Sequence, residues 1–462
     1  MFIGRRSELE ILERAYASRD SGFIPIYGRR RVGKSELILH FLEGKRGLYF
    51  LGKTAPPALQ LRELLQEAAQ ALEEPLLASY SAPGWKETLQ SVVERWKGEG
   101  KLVLVLDEFQ WMCSASPELP SVIQELWDRR WKRTGKLLLI LCGSVVGFME
   151  RTVLGRSSPL FGRTTAQIHL RPFGYREAAE FLPSWSRTNQ ALAYFLVGGA
   201  PLYLRALDPR ASVETNIEER LLTEYSPLFR EPEFLLREEL REVENYYAVL
   251  LAIAAGQRTV RAIAQRAAIP ERSLPYYIEQ LISLGYVARR QPLTGTRPAR
   301  TDVRYEIGDA LLRFWFRFVF PNVSSLQQMG PKRTLRERIG PELEAYAGTC
   351  FERLCREALP RLYEREGVNA AFQIGEYWNK EIQIDIVGLR DDGWTDLGEC
   401  KWASVRSYTK VLGELRAKIG RFPNRRGATL GPRLFLRRGP KAPLPDEQRS
   451  LVRCHTLDDL YA

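Results

Sequence analysis

The segment from Gly28 to Ser35 has the residue types and the spacing of a phosphate-binding loop. It reads Gly-Arg-Arg-Arg-Val-Gly-Lys-Ser and is preceded by an apolar run. Glycines let successive backbone N–H groups turn toward one anion, and a following helix adds the positive end of its dipole. The lysine is placed for the β and γ phosphates of ATP, and the serine hydroxyl for Mg²⁺. The pattern therefore predicts ATP and Mg²⁺ as cofactors, bound through Gly28, Arg29, Arg30, Arg31, Val32, Gly33, Lys34, Ser35 and Glu36.

The elements that must position this loop occur around it in the required order. Residues 23–27 predict a buried strand before the loop, and residues 36–42 have the apolar spacing of a helix after it. Residues 101–106 predict another buried strand, as parallel sheets require, and this run ends at Asp107 and Glu108. Ligands bind at the carboxyl ends of such strands. We therefore expect both acids to lie opposite the loop.

The residues at these strand ends have roles in hydrolysis. Asp107 is predicted to hold Mg²⁺ through water, and Glu108 to orient the attacking water as a base. The strand predicted over residues 136–142 ends just before Ser144, whose hydroxyl is expected to sense the γ-phosphate. Further on, either Arg156 or Arg163 is predicted to be an arginine finger, and each is equally well explained as a surface or structural arginine.

The middle of the chain predicts a winged helix. Residues 246–287 repeat apolar side chains at helical spacing in three segments, and a hairpin ending at residues 304–307 follows. In this interpretation the residues that contact DNA are Arg272, Tyr276, Tyr277, Arg289, Arg290, Arg297 and Arg300. A packing or switch module explains the same pattern, so both alternatives stay open. Residues 321–341, charged and punctuated by glycine and proline, predict a connection to a further domain.

Two segments near the C-terminus combine strand periodicity with catalytic residue types. Residues 381–388 and 397–402 alternate with period two on either side of a polar turn, so they predict neighbouring strands. The alternation places Asp385 on the face opposite its aliphatic neighbours, and it places Glu399 and Lys401 together on one face. The pattern therefore allows these side chains to converge.

The convergent side chains are those of a metal-dependent phosphodiesterase. Asp385 and Glu399 are predicted to hold Mg²⁺ beside a scissile phosphate, while Lys401 positions the attacking water and steadies the developing negative charge. Glu352, on a preceding helix, is expected to complete the site. The alternative is a surface hairpin with alternating charges, because Glu-x-Lys pairs are common on solvated strands.

The composition is that of a multidomain globular protein. The composition, with 45% hydrophobic and 27% charged residues, is close to the globular average. The length of 462 residues exceeds the roughly 250–300 residues at which single cores stop growing. A net charge of +12 favours DNA as a partner, because clustered basic residues release counterions from a phosphate backbone. The first six residues lack the apolar core of a signal peptide, and the longest apolar stretches are too short or too interrupted by arginine to span a bilayer, so we expect a cytoplasmic protein with no membrane partner.

The N-terminal motifs resemble those of archaeal-type ATPases on the border of the AAA+ and STAND groups. The resemblance rests on residues 2–9, the phosphate-binding loop, and residues 107–110, 142–144 and 198–203. It covers roughly residues 1–320. It implies that Ile3 and Gly4 lie by the adenine, that residues 198–203 lead into a helical lid, and that the nucleotide drives a conformational switch. Such ATPases often act as oligomers, so a homo-oligomer is one expected assembly.

The C-terminal order of Glu352, Asp385 and Glu399-x-Lys401 resembles the PD-(D/E)xK nuclease fold. Its attachment to this ATPase resembles archaeal ATPases that carry such a C-terminal domain. Gln383, two residues before Asp385, stands where that family often has glutamate. The resemblance implies that the C-terminal domain holds a Mg²⁺-dependent nuclease site.

The sequence thus predicts an α/β multidomain chain. Its expected parts are a P-loop parallel-sheet ATPase core (1–205), a helical lid (206–240), a winged helix-turn-helix (241–325) and a C-terminal α/β restriction-endonuclease-like domain (335–462). The expected function is ATP-hydrolysing DNA binding, with the ATPase gating or positioning Mg²⁺-dependent cleavage. The alternative is a non-cutting nucleotide switch that binds DNA or protein through the winged helix.

Overall fold

The computed structural model describes residues 2–80, 83–295, 302–440 and 451–462, which form two compact units. The first unit comprises the chain up to Pro172 together with Ala200–Leu202. The second comprises Phe173–Gly199 and the chain from Tyr203 to Ala462. Each unit has its own five-stranded sheet, and each sheet has its own buried core.

A parallel sheet is the frame of the first unit. Its strands are β1 Gly22–Tyr27, β2 Gly47–Leu51, β3 Leu102–Asp107, β4 Leu137–Gly143 and β5 Ile168–His169. Their order across the sheet is β2-β3-β4-β1-β5, and all neighbours are parallel. Strands β1, β3 and β4 are buried along their whole length, as expected of a sheet covered on both faces. These three strands lie within one or two residues of the strands that the sequence predicts.

Helices cover both faces of this sheet. They are α1 Arg6–Ala17, α2 Lys34–Leu42, α3 Pro57–Ala71, α4 Trp85–Glu94, α5 Phe109–Ala115, α6 Leu119–Leu126 and α7 Val146–Met149, with shorter helical turns at Pro75–Leu77, Trp127–Trp131 and Glu150–Leu154. Leu64 of α3 packs in one core with Leu104 of β3, whereas Leu37 of α2 packs in another core with Val103. Because adjacent strand residues point to opposite faces, these two cores lie on opposite sides of the sheet.

The second unit begins with helices and a hairpin. In chain order these elements are α8 Tyr175–Ala179, α9 Arg187–Val197, α10 Pro201–Arg205 (which starts in the first unit), α11 Val213–Asn216, α12 Pro227–Glu239, α13 Val243–Ala254, α14 Val260–Ala267, α15 Leu274–Ser283, β6 Val287–Arg290, β7 Arg304–Ile307 and α16 Ala310–Phe314. Helical turns at Ile217–Leu221, Trp315–Val319 and Phe320–Asn322 extend neighbouring helices. Strands β6 and β7 are antiparallel. The three helices and the hairpin expected between residues 246 and 307 are therefore present, in that order.

The segment predicted as a connection, residues 321–341, is mostly helical. Helix α17 covers Val323–Thr334, a further turn covers Leu335–Ile339, and α18 runs from Gly340 to Arg365. Gly330 has φ 76° inside α17, so the helix breaks there. The sequence predicts only a connection here; the structure shows that the connection is helical, because glycine and proline break the helix at one point only. Proline is tolerated in the first turn of the helix that restarts after the break.

A mixed sheet forms the C-terminal part of the second unit. It consists of β8 Phe372–Trp378, β9 Gln383–Arg390, β10 Trp394–Lys401, β11 Thr429–Leu436 and β12 Arg453–Thr456, in the order β12-β11-β10-β9-β8. Strands β8, β9 and β10 are antiparallel neighbours, whereas β10, β11 and β12 are parallel. Helix α19 Tyr408–Ile419 follows β10, and α20 Leu457–Tyr461 ends the chain. Phe435 packs with α18 and Leu434 packs with α19, so these helices cover opposite faces.

Among the residues that the structure describes, no helix is both long and apolar enough to cross a bilayer.

Candidate functional site

The phosphate-binding loop connects β1 to α2 at the carboxyl edge of the parallel sheet. Gly28 has no room for a side chain, because a Cβ atom there would lie 2.1 Å from the carbonyl oxygen of Leu170. Arg31 and Gly33 have φ angles of 69° and 87°, in the left-handed region. That conformation costs a residue with a side chain roughly 1–2 kcal/mol. The loop therefore makes the tight turn before a helix that an anion cradle requires.

Lys34 lies in this loop with its ammonium group nearly enclosed. The residue is only 7% exposed, and its Nζ donates to the carbonyl oxygens of Gly28 at 2.9 Å and Arg29 at 3.0 Å. Burial lowers the pKa of Lys34, and the negative charges of Glu108 and Asp107 oppose that shift. The cation is thus held among oxygen acceptors at the loop, where a lysine contacts phosphate oxygens.

Ser35 and Asp107 meet where α2 begins and β3 ends. Ser35 Oγ donates to Asp107 Oδ2 at 2.7 Å, and the hydroxyl of Tyr49 on β2 donates to the same oxygen. The backbone N–H of Glu108 donates to Asp107 Oδ1 at 2.7 Å. A serine hydroxyl and a carboxylate are hard oxygen donors of the kind that Mg²⁺ prefers. The pair therefore fits the predicted Mg²⁺, with Tyr49 orienting the carboxylate.

Glu108 belongs to a polar cluster with Ser144 and Gln110. Glu108 Oε2 accepts a hydrogen bond from Ser144 Oγ at 2.8 Å and another from Gln110 Nε2. Gln110 Nε2 also donates to Ser144 Oγ at 3.0 Å. Ser144 directly follows β4, so the carboxyl ends of β3 and β4 bring the predicted base and the predicted sensor together.

The two candidate arginine fingers differ in their contacts. The Arg163 guanidinium donates to both carboxylate oxygens of Asp128, at 2.7 to 3.0 Å, and to the carbonyl oxygens of Pro159 and Phe161. The predicted contact of Arg163 with the nucleotide would therefore require these hydrogen bonds to break. Arg156 is exposed, and within the described ranges it has no hydrogen bond or ion pair. The structure thus leaves Arg156 the more available of the two.

In the second unit, three of the four predicted catalytic residues, Asp385, Glu399 and Lys401, converge on one face of the mixed sheet, whereas Glu352 lies on α18, which packs on the other face. Lys401 Nζ lies 2.8 Å from Glu399 Oε1, and Lys418 Nζ of α19 lies 2.6 Å from Glu399 Oε2. Asp385 Oδ2 accepts from the backbone N–H of Cys400 at 3.0 Å, which holds its carboxylate beside β10. Cys400 itself packs on the opposite face, with α18. The predicted placement of Glu399 and Lys401 on one face is confirmed.

Burial and mutual repulsion affect the carboxyl groups at this place. Burial raises the pKa of Asp385 to about 6, and the negative charge of Glu399 adds to the effect. Burial and the charge of Asp385 raise the pKa of Glu352 on α18 to about 8. Arg356, one turn further along α18, donates to the backbone oxygen of Asp385 at 2.7 Å and lies 3.8 Å from Glu376 on β8. Glu352 and Asp385 are therefore close enough to act on each other electrostatically.

Whether a divalent cation fits at Asp385 and Glu399 depends on which oxygen atoms are available to coordinate it. In the described part of the chain, no three His, Cys, Asp or Glu side chains are grouped so that they would hold a metal ion. Asp385 and Glu399 supply two carboxylates that repel each other, which is the type of pair that a divalent cation neutralises. The residues fit Mg²⁺ if backbone oxygens and water complete its coordination, as Mg²⁺ commonly allows.

The residues expected to contact DNA have different environments. Arg272 and Tyr276 are exposed on or beside α15. Tyr277 packs edge-on against Tyr246 and accepts a hydrogen bond from Asn245, so it contributes to the helix packing.

The hairpin arginines are engaged within the second unit. Arg289 pairs with Glu279 of α15, and Arg290 Nε lies 2.6 Å from Glu306 Oε1. Arg297 and Arg300 lie outside the described residues.

Several contributors were not predicted from the sequence. Tyr49, Glu376 and Lys418 lie on neighbouring elements far along the chain from the residues that they contact, and no local motif marks them. Gln110 stands in a motif that the sequence analysis singled out, two residues after Glu108. Gln110 is a polar residue on the buried side of α5, and this pattern could have indicated that its side chain belongs to the site.

Comparison with known families gives two matches, one in each half of the chain. Residues 2–207 match a family described as an ATPase domain predominantly from Archaea. Residues 315–411 match a family described as archaeal and bacterial proteins of unknown function.

Individual relatives extend this result. An uncharacterised protein of Methanocaldococcus jannaschii is 28% identical over 422 residues, which cover 90% of this chain and 92% of that protein. An uncharacterised ATP-binding protein of the same organism is 52% identical over 46 residues, 10% of this chain and 78% of that protein. The solved Walker-type ATPase of Pyrococcus abyssi has a TM-score of 0.51 at 20% identity and covers 68% of this chain and 96% of its own. The structural likeness shows a shared fold. With the Ser35–Asp107 pair at its carboxyl edge, the parallel sheet is the core of an archaeal-type P-loop ATPase domain, and the chain continues into a separate C-terminal sheet domain.

Proposed function

We propose that this protein hydrolyses ATP, binds DNA and cuts it at a Mg²⁺-dependent site in its C-terminal sheet domain, with the ATPase gating or positioning cleavage. The observation that carries the proposal is the convergence of Asp385, Glu399 and Lys401 on one face of the mixed sheet. The antiparallel β8-β9-β10 followed by α19 and the parallel strand β11 supports the PD-(D/E)xK interpretation. The four-part division of the chain and the winged helix belong to the same proposal.

The ATPase step uses residues of the first unit. Lys34 binds the β and γ phosphates, and Ser35 and Asp107 hold Mg²⁺, which when bound neutralises phosphate charge. Glu108 orients the attacking water, and Ser144 and Gln110 fix the direction of its carboxylate. Arg156 or Arg163 stabilises charge in the transition state.

The cleavage step uses residues of the second unit. Asp385 and Glu399 would hold Mg²⁺, which supplies Lewis-acid stabilisation of the scissile phosphate when bound. Lys401 positions the attacking water and steadies the negative charge that develops on the phosphate. Its ammonium is suited to this because Glu399 and Asp385 help to raise the pKa of Lys401 against the opposing effect of burial. Glu352 lies behind the site and contributes a further carboxyl group.

Asp385→Ala tests the nuclease directly. The wild-type protein is incubated with single- and double-stranded DNA, with Mg²⁺ or Mn²⁺, with and without ATP, and strand cleavage is followed. The expected result is cleavage that the variant loses by at least about a hundredfold, because one of two charged cation ligands is gone. Asp391→Ala, in the exposed turn between β9 and β10, is the matched control and should cut normally. Intact DNA with both wild-type protein and control, despite ATP turnover, would contradict the proposal.

Lys34→Ala tests the ATPase. ATP affinity and turnover should both fall by more than tenfold, since a buried charge that contacts phosphate is removed. Lys53→Ala, an exposed lysine paired with Glu63, is the control. Unchanged turnover in the Lys34 variant would show that the loop is not the ATPase site.

A second candidate function is a nucleotide switch that binds DNA or protein without cutting. Both carboxylate oxygens of Glu399 are paired with lysines in this structure, and a carboxylate so paired binds a cation only if those pairs open. If ATP changes DNA affinity while no metal supports cleavage, this second function is the correct one.

A further inference from the structure

A separate cavity of about 470 Å³ lies in the second unit, and its lining includes none of the predicted catalytic residues Glu352, Asp385, Glu399 and Lys401. Its walls come from the end of α13, strand β7, helix α16 with the turn after it, and the first half of α18. Pockets that bind small organic molecules have volumes of roughly 300–1,000 Å³. The cavity is therefore large enough for a mononucleotide.

The charged groups of this cavity are mainly arginines. Its lining includes Arg258, Arg313, Arg317 and Arg353, against two carboxylates, Glu306 and Glu342. Arg353 pairs with Glu306 at 2.8 Å, and Arg317 pairs with Glu342 at the rim. Arg258 and Arg313 have no carboxylate within ion-pair distance among the described residues. The lining therefore has an excess of two positive charges.

The arginines at the base of the cavity are incompletely satisfied. Arg313 Nη1 and Arg353 Nη1 both donate to the carbonyl oxygen of Ile307, at 3.2 and 2.8 Å. The Nε atoms of both arginines are buried and have no hydrogen-bond partner. Burial and the charge of Arg313 lower the pKa of Arg353 to about 10 despite its pairing with Glu306. Burial would also lower the pKa of Arg313, but Cys350, Tyr346 and Glu306 together outweigh that effect and raise this pKa instead. Two guanidinium groups thus repel each other beside a cavity, and an anion between them would relieve that repulsion.

The remaining lining suits an organic portion of the ligand. Tyr346 and Tyr305 contribute aromatic rings, and Ile253 and Ala345 contribute aliphatic surface. The Tyr346 hydroxyl donates to the carbonyl oxygen of Phe195 at 2.9 Å, which fixes its ring in the wall. Arginine forks recognise phosphate, and aromatic rings pack against bases.

We propose that this cavity is a binding site for a phosphate-bearing small molecule of mononucleotide size. The phosphate lies between Arg313, Arg353 and Arg258, with Arg317 contacting it from the rim, and the base or sugar lies against Tyr346. The cavity is distinct from the phosphate-binding loop of the first unit. Its lining includes none of Asp385, Glu399 and Lys401, although Arg258 acts electrostatically on Glu352.

Calorimetric titration of the full chain tests the proposal, with AMP, adenosine and inorganic phosphate as probes. The Lys34→Ala variant serves as the background, so that nucleotide binding at the loop does not obscure the second site. AMP is expected to bind this background saturably at about one molecule per chain. Arg258→Ala and Arg317→Ala, each added to the Lys34→Ala background, should each weaken AMP binding by roughly tenfold or more, because charge-assisted hydrogen bonds are lost.

Two further variants separate recognition from stability. Arg313→Lys keeps the charge but removes the fork, and it should also weaken AMP binding. Arg266→Ala, an exposed arginine of α14 outside the cavity, should not. The thermal unfolding temperature of each variant, compared with that of the Lys34→Ala background, checks that the substitution leaves the protein folded.

Each result of the titration bears on the proposal. AMP binding stronger than that of inorganic phosphate, together with no binding of adenosine, supports it. If adenosine bound as tightly as AMP, the site would not recognise the phosphate. If inorganic phosphate bound as tightly as AMP, the site would not recognise a ligand of mononucleotide size. Absence of AMP binding, or AMP affinity unaffected by the Arg258 and Arg317 changes, would overturn the assignment.

Discussion

At the scale of single residues, the polar cluster at the end of β3 and β4 decides how the predicted base of the ATPase behaves. Glu108 accepts hydrogen bonds from Ser144 and Gln110, so its carboxylate has one fixed direction. A base is effective only when its oxygen reaches the water that it activates. Gln110 orients Glu108 and has no role in holding phosphate in our proposal.

Gln110→Ala should therefore lower kcat for ATP hydrolysis by about tenfold while leaving KM nearly unchanged, because only orientation of the base is lost. Steady-state kinetics measures both parameters. Gln70→Ala, an exposed glutamine at the end of α3, is the matched control. A rise in KM with an unchanged kcat would show that Gln110 acts on nucleotide binding instead.

At the scale of elements, the hairpin β6–β7 is joined to α18 through one carboxylate. Glu306 on β7 accepts from Arg290 on β6 at 2.6 Å and from Arg353 on α18 at 2.8 Å. Burial alone would raise the pKa of Glu306, but the charges of Arg353 and Arg290 outweigh it and lower that pKa to about 2. The ion pairs therefore stabilise the folded state whenever Glu306 is charged.

This linkage has a defined pH dependence. Because the folded-state pKa is lowered, the stabilisation is fully present above the unfolded value of about 4.3 and is lost as the pH falls toward 2. Glu306→Gln should reduce the free energy of unfolding by about 2 kcal/mol at pH 7, and the difference from wild type should shrink as the pH falls from about 4.5 to 2. Urea unfolding of both proteins at several pH values measures this difference in the free energy of unfolding. A difference that is independent of pH would show that Glu306 stabilises by packing alone.

If the winged helix binds DNA, the exposed side of α15 is the surface that would contact it. Arg272→Ala should weaken DNA binding and reduce the slope of log affinity against log salt by about one, because one phosphate contact is removed. Fluorescence anisotropy at several salt concentrations measures both. Arg14→Ala, an exposed arginine of α1, removes the same charge elsewhere. An unchanged slope would indicate that α13–α15 serve packing or switching.

At the scale of the whole molecule, two catalytic sites are proposed in one chain, each built on its own sheet. The first lies at the carboxyl edge of a parallel sheet, and the second on one face of a mixed sheet. Nothing in the chemistry of either site requires the other. Gating is therefore a claim about coupling, which must be tested with both sites intact and with each one disabled.

Asp385→Ala should keep ATP turnover within about twofold of wild type, since its carboxylate belongs to the other site. Lys34→Ala should keep the DNA cleavage site but lose the effect of ATP on the cleavage rate. Parallel ATPase and cleavage assays on both variants measure this. A cleavage rate that responds to ATP equally in wild type and Lys34→Ala would exclude gating by this ATPase.

The sequence alone determined the elements whose signals are local. Gly28 to Ser35 between an apolar strand and a helix identifies the phosphate-binding loop, because glycine spacing and helix position suffice for it. Period-two alternation likewise places Glu399 and Lys401 on one face of a strand. The acids after β3 are identified because a fully buried strand has an unmistakable aliphatic run.

Contacts between distant segments were decided only by the tertiary structure. The pairing of Arg163 with Asp128, the orientation of Asp107 by Tyr49 and the approach of Lys418 to Glu399 all join residues that no local pattern connects. The single break of α17 at Gly330 was missed because composition does not show whether a helix restarts. The arginine-lined cavity arises from four separate elements, so its charge excess exists only once they are packed together.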